Sequence, residues 1–89
     1  MPNKNYEKGR RKEYKIVKQY KDKGYDIAQR SAGSHSPIDV FAIDKKTRTI
    51  RLIQAKPNSM STTAKQKIID QNKWLNGLFR VIFEVDWWF

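Results

Sequence analysis

Two side chains in this sequence stand where their charge is costly unless a partner satisfies it: Glu13 and Asp39. Glu13 falls on the same helical face as Ile16, Val17 and Tyr20, so a carboxylate sits on an otherwise apolar stripe. Asp39 interrupts the apolar run Ile38 to Ile43 in the same way. Carboxylates in such places are uncommon unless they are ion-paired or bound to a cation. Gln54 and Lys56 flank Ala55 at the end of a second β-branched run, and period-two alternation puts this amide and this ammonium on one face. An acid, an amide and an ammonium are thereby brought together on one face of the sheet. Two blander readings compete with a bound cation. Glu13 could be a stripe-edge acid paired with a Lys or Arg, and Asp39 could form an edge-of-sheet salt bridge with Lys56.

The elements that would position these groups follow from pattern. Residues 1–5 read as a flexible tail, and Tyr6 to about Lys23 as an amphipathic helix with Gly24 in its C′ position. Tyr25 to Ser31 reads as a short strand. Ala32 to Ser36 form a small polar loop closed by Pro37. Ile38 to Asp44 and Thr49 to Lys56 are strands joined by a turn over Lys45, Lys46, Thr47 and Arg48. A turn centred between Lys46 and Thr47 sets Asp39 opposite Gln54, Phe41 opposite Leu52 and Ile43 opposite Ile50. Pro57 ends the second of these strands. Ser61 or Thr62 can cap a helix running to about Leu75, Gly77 can end it, and Leu78 to about Trp87 reads as a last strand. The predicted order is α-β-β-β-α-β, in a single domain spanning residues 1–89, as its length of 89 residues requires.

Inventory excludes much. There is no cysteine and one histidine, His35, which removes disulfides, thiolate zinc sites, cysteine nucleophiles and a Ser/His triad. Nineteen Lys and Arg against nine Asp and Glu give a formal net charge of +10, which calls for a polyanionic partner. Nucleic acid fits this better than a membrane surface, because the basic residues are spread along the chain and no helix pairs them with a broad apolar face. A ribosomal-protein-like binder without chemistry accounts for the charge equally well. No apolar run approaches the roughly 20 residues needed to span a bilayer, and the N-terminus has no signal-like h-region, so a cytoplasmic location is expected.

Pro37-Ile38-Asp39, then Gln54-Ala55-Lys56, with an upstream helix carrying Gly9-Arg10-Arg11-Lys12-Glu13, resembles the PD-(D/E)xK nuclease core, and within it the archaeal Holliday-junction resolvases. The likeness covers most of the chain. It departs at position 54, where the family's second acid is here Gln54. The resemblance implies an α/β, restriction-endonuclease-like fold with a mixed sheet flanked by helices, acting as a Mg²⁺-dependent (or Mn²⁺-dependent) endodeoxyribonuclease on branched DNA. It implies that Asp39, Glu13, Gln54 and the main-chain carbonyl of Ala55 hold the metal, while Lys56 orients the attacking water. Loss of one negative charge at Gln54 lowers metal affinity or changes metal preference, so a fold kept only for DNA binding is the alternative.

Other residues have two readings each. Arg30, Ser31, Ser34 and His35 flank the polar loop and would contact DNA backbone, or form an ordinary solvated turn. Arg10, Arg11 and Lys12 could grip phosphate or form a solvated charge run, and Lys65, Lys67 and Lys73 share that ambiguity. Trp87 and Trp88 must face opposite sides of a strand, so one of them, with Phe89, is expected in the interface of a homodimer.

Overall fold

In the computed structural model, residues 4–31, 36–77, 79–85 and 87 are described. The elements are α1 (Lys4–Asp22), β1 (Ile27–Arg30), β2 (Val40–Asp44), β3 (Thr49–Ile53) and α2 (Thr62–Asn72), with a 3₁₀ turn at Lys73–Leu75. The chain divides into two compact units, residues 1–59 and 60–89. Among the described residues, no helix is long and apolar enough to cross a membrane.

The first unit is a three-stranded antiparallel sheet, β1-β2-β3, with α1 packed on β1 and β2. The predicted stripe on α1 is the buried one: Val17 is buried, and Ile16 and Tyr20 pack beside it. Val40 and Ala42 alternate toward the helix and are fully buried, with Ala28 from β1 completing the core and Ile53, paired with Val40, packing against it. The other face carries Ile27, Phe41, Ile43, Ile50 and Leu52, of which Ile27, Ile50 and Leu52 remain over two-fifths exposed.

Helix α1 ends as its sequence predicts. Gly24 takes φ 90°, its N–H donates to the Lys21 carbonyl, and the Tyr25 N–H donates back to Tyr20, the paired bonds of a Schellman motif. The rings of Tyr20 and Tyr25 meet edge to face at 5.0 Å, supplying the apolar contact that accompanies this cap. The hairpin has the expected register, with Phe41 on Leu52 and Ile43 on Ile50. Its turn is tied by the Asp44 carboxylate, which accepts from the Lys46 N–H and the Thr47 hydroxyl, and Arg48 takes the left-handed conformation at φ 54°.

Register fails at one point, the start of β2. The Asp39 N–H donates to the Ile53 carbonyl at 2.8 Å although Val40 is the register partner of Ile53, so two residues of one strand address one of the other. Asp39 therefore does not pair squarely with Gln54. The ladder stops at Val40 and Ile53 because the Ala55 N–H goes to the Asp39 carboxylate rather than to a main-chain carbonyl.

Two further expectations are corrected. Residues 79–85 form no strand, so the sheet of the described residues is wholly antiparallel instead of mixed. Residue type supplies only half of what a strand needs; the other half is a ladder partner, and Phe79 donates only to the nearby Gly77 carbonyl. The tail is shorter than predicted, since Lys4 and Asn5 already belong to α1, whose first turn carries Glu7 where the helix dipole favours an acid. In the second unit, Ser61 caps α2, its hydroxyl accepting from the Ala64 N–H.

Candidate functional site

The end of β1, the start of β2 and the end of β3 meet at one edge of the sheet, and the first half of α1 runs past it. Backbone bonds stitch this mouth together: Ser31 N–H to the Asp39 carbonyl at 2.8 Å, and Asp39 N–H to Ile53. Asp39 Oδ2 accepts from the Ala55 N–H at 2.8 Å, a charge-assisted bond on the order of 1.5–3 kcal/mol. One residue before Ala55 in the chain, the side-chain oxygen Oε1 of Gln54 is buried without a hydrogen-bond partner among the described residues. A buried carbonyl oxygen left in that condition costs about 1–3 kcal/mol, which a cation or a donor from a ligand would recover.

Glu13 reaches the same mouth from the helix, and there it meets Arg30. The Arg30 Nε donates to Glu13 Oε1 at 3.0 Å, with the side chains 26% and 19% exposed. Strand register explains the meeting, because Arg30 pairs with Val40, whose side chain faces α1. The Arg30 Nη1 also donates to the Tyr14 hydroxyl at 3.3 Å, and its guanidinium carbon lies 4.7 Å from the centre of the Tyr14 ring. Arg10, one turn earlier, brings its guanidinium carbon to 5.7 Å from the same ring. The hydrogen bonds and charges of Arg10 and Arg30 pull the Tyr14 phenol below its ordinary range, and the Glu13 hydrogen bond holds the Arg30 guanidinium above its own.

The structure thus brings the Asp39 carboxylate to Ala55, the residue after Gln54, and Glu13 to Arg30, and the Ser31 N–H bond to the Asp39 carbonyl links the two pairs. Ala55 enters through its N–H, whereas the sequence reading assigned its carbonyl. Lys56 follows on the exposed side of the same segment. Among the described residues, no three His, Cys, Asp or Glu side chains gather as a metal cluster, so a divalent ion here would draw on two acids at most and on neutral oxygens. The donors that are present, carboxylate and amide oxygen, are hard ligands that suit Mg²⁺ or Mn²⁺ and would not suit a soft metal.

The remaining predicted contacts scatter. Arg11 pairs loosely with Glu7 at 3.9 Å, and Lys12 is exposed on α1. Lys65 lies on α2 in the second unit, where its N–H closes the first turn on Ser61. Trp87 is 84% exposed. Ser34, His35, Trp88 and Phe89 lie outside the described residues. Tyr14 was missed by sequence reasoning, which gave it no role. Its spacing four residues after Arg10 and adjacent to Glu13 was the available signal. Comparison of the chain with protein-family models, with curated proteins and with solved structures finds no match.

Proposed function

We propose that this protein is a metal-dependent endonuclease that hydrolyses phosphodiester bonds of DNA, with branched or distorted duplexes as substrate. One observation carries the reading: Asp39 is anchored by the N–H of Ala55, the residue next to Gln54, whose side-chain oxygen is buried and has no hydrogen-bond partner among the described residues. Those two oxygens, with Glu13, would hold Mg²⁺ or Mn²⁺, which when bound polarises a phosphate and lowers the pKa of its water. The chain's own groups do the rest. The Ala55 N–H fixes one oxygen of Asp39, leaving the other directed by the same bond. Lys56 orients the attacking water and stabilises negative charge as it develops on the phosphate. Arg10, Arg30 and the exposed Arg11 and Lys12 attract the DNA backbone, as a net charge of +10 favours. The same reading has the protein act in the cytoplasm as a homodimer, each site cutting one strand, with the exposed Trp87 in the contact.

A second reading has its own support. Gln54 brings no charge and Glu13 is committed to Arg30, so the site is short of negative charge for catalysis. On that reading the protein binds branched DNA without cutting it. The two separate in one experiment: purified protein with a labelled four-way junction, duplex and single strand, with Mg²⁺, Mn²⁺ or EDTA, beside an Asp39→Ala control. Paired symmetrical nicks that need metal and vanish in the variant are the expected result. Tight junction binding without cleavage under either metal overturns the enzyme and leaves the binder.

A further inference from the structure

At this mouth the Arg30 side chain touches both a proposed metal ligand and Tyr14, whose ring Arg10 also approaches. Its Nε is on Glu13 at 3.0 Å and its Nη1 on Tyr14 at 3.3 Å, so one planar fork spans the two. We infer that Arg30 is a positioning residue that competes with a divalent cation for Glu13 and, once displaced, serves as a phosphate contact, so that metal and DNA binding are coupled through it. The inference rests on the metal-dependent reading above.

Glu13 and Arg30 are both largely shielded, and a dication drawn to the same carboxylate meets a fixed positive charge at short range. The ion and the guanidinium cannot both use Glu13 at low cost, so binding one means releasing the other. The Arg30 backbone has no need to move, because it is locked in register with Val40 and the next residue donates to the Asp39 carbonyl. Only the side chain swings. Tyr14 gives it a pivot: the phenol oxygen and the ring face hold the guanidinium at the mouth after Glu13 lets go. There its fork is free to meet a phosphate in the bidentate geometry that arginine favours. Because coupling free energies are reciprocal, phosphate that engages Arg30 eases cation binding at Glu13, and the cation eases phosphate binding at Arg30. A site built this way assembles fully only when both partners are present.

The test needs no catalysis. Mn²⁺ alone is titrated into the full chain, without DNA, and free ion is read by electron paramagnetic resonance, with circular dichroism melts confirming that each variant folds. Arg30→Gln keeps a donor for Glu13 but drops the competing charge, and is expected to tighten Mn²⁺ binding by about five- to tenfold. Arg30→Lys restores the charge and should stay within about twofold of the wild type. In a Glu13→Gln background, Arg30→Gln should lose most of its gain, since the carboxylate it frees is gone. Should Arg30→Gln not fold, Arg30→Met keeps the length of the stem, drops the competing charge and should tighten binding in the same direction by about fivefold. A folded Arg30→Gln variant with unchanged or weaker Mn²⁺ binding overturns the competition while leaving the metal site standing. No Mn²⁺ binding by any variant, wild type included, overturns the metal reading and this inference with it.

Discussion

Strand β2 begins and ends near an aspartate, and the two ends of the sheet treat those acids oppositely. At the turn end, the Asp44 carboxylate is met by the Thr47 hydroxyl at 2.7 Å and the Lys46 N–H, and the neighbouring Asp26 accepts from the Lys45 N–H. At the mouth, Asp39 has one main-chain donor, the buried Gln54 oxygen has none among the described residues, and Glu13 is held by an arginine recruited from another strand. Asp44 is satisfied by residues within three positions of it, which is how a structural turn closes, and Asp26 by a main-chain N–H of the turn. The mouth draws on α1, β1, β2 and the segment after β3, and still leaves an oxygen wanting. The unsatisfied oxygen at the mouth is what the proposed function rests on, and the turn end has no counterpart to it among the described residues.

The comparison can be broken at its strong end first. Asp39→Ala should cut junction cleavage by at least about a hundredfold, since it removes the anchored carboxylate. It should also cost on the order of 1–3 kcal/mol in urea denaturation because the Ala55 N–H loses its acceptor. Asp44→Ala should leave cleavage within about twofold of the wild type. Gln54→Glu sharpens the contrast from the other side: it places a charge where the unpartnered oxygen lies, and should raise Mn²⁺ affinity about tenfold. Unchanged affinity would mean the Gln54 oxygen does not face the ion.

A stability effect of smaller size is expected at the cap between α1 and β1. Gly24→Ala forces a Cβ into φ 90° and should cost about 1 kcal/mol, measured by urea denaturation, without changing metal binding. The smallest effect belongs to the turn and depends on pH. The Thr47 hydroxyl holds the Asp44 carboxyl below its usual range, so the stabilisation is complete above the ordinary carboxylate pKa and is lost as pH falls through the lower folded value. Thermal melts from pH 7 down to pH 3 should therefore show Asp44→Asn losing less stability on acidification than the wild type. A parallel pH dependence in both would show that the Thr47 contact does not persist in solution.

Much of the mouth was legible in the sequence because its parts obey local rules. The α1 face of Glu13, Ile16, Val17 and Tyr20, the Gly24 cap, the turn at Lys45 to Arg48 and the Phe41–Leu52 register all follow from period, propensity and turn chemistry. What escaped depends on geometry that no local rule encodes. The offset at Asp39 arises from competition between a side chain and the ladder for the Ala55 N–H, and the Glu13–Arg30 pair from a helix crossing a strand seventeen residues away in sequence. The blander expectation for Glu13, an ion pair with a basic residue, is the one the structure displays, with a partner that had been read as a DNA contact. The expected C-terminal strand failed for another reason. Val81, Ile82, Phe83 and Val85 are residue types that suit a strand, yet a strand is defined by its neighbour, and residue type names no neighbour.

The most direct test of the central claim sets the two ends of β2 against each other by Mn²⁺ binding to the wild type, Asp39→Asn and Asp44→Asn, without DNA, read by electron paramagnetic resonance. The account predicts one class of site that survives Asp44→Asn intact and is lost or weakened by about tenfold or more in Asp39→Asn. Equal binding by all three proteins, or loss with Asp44→Asn alone, would contradict it.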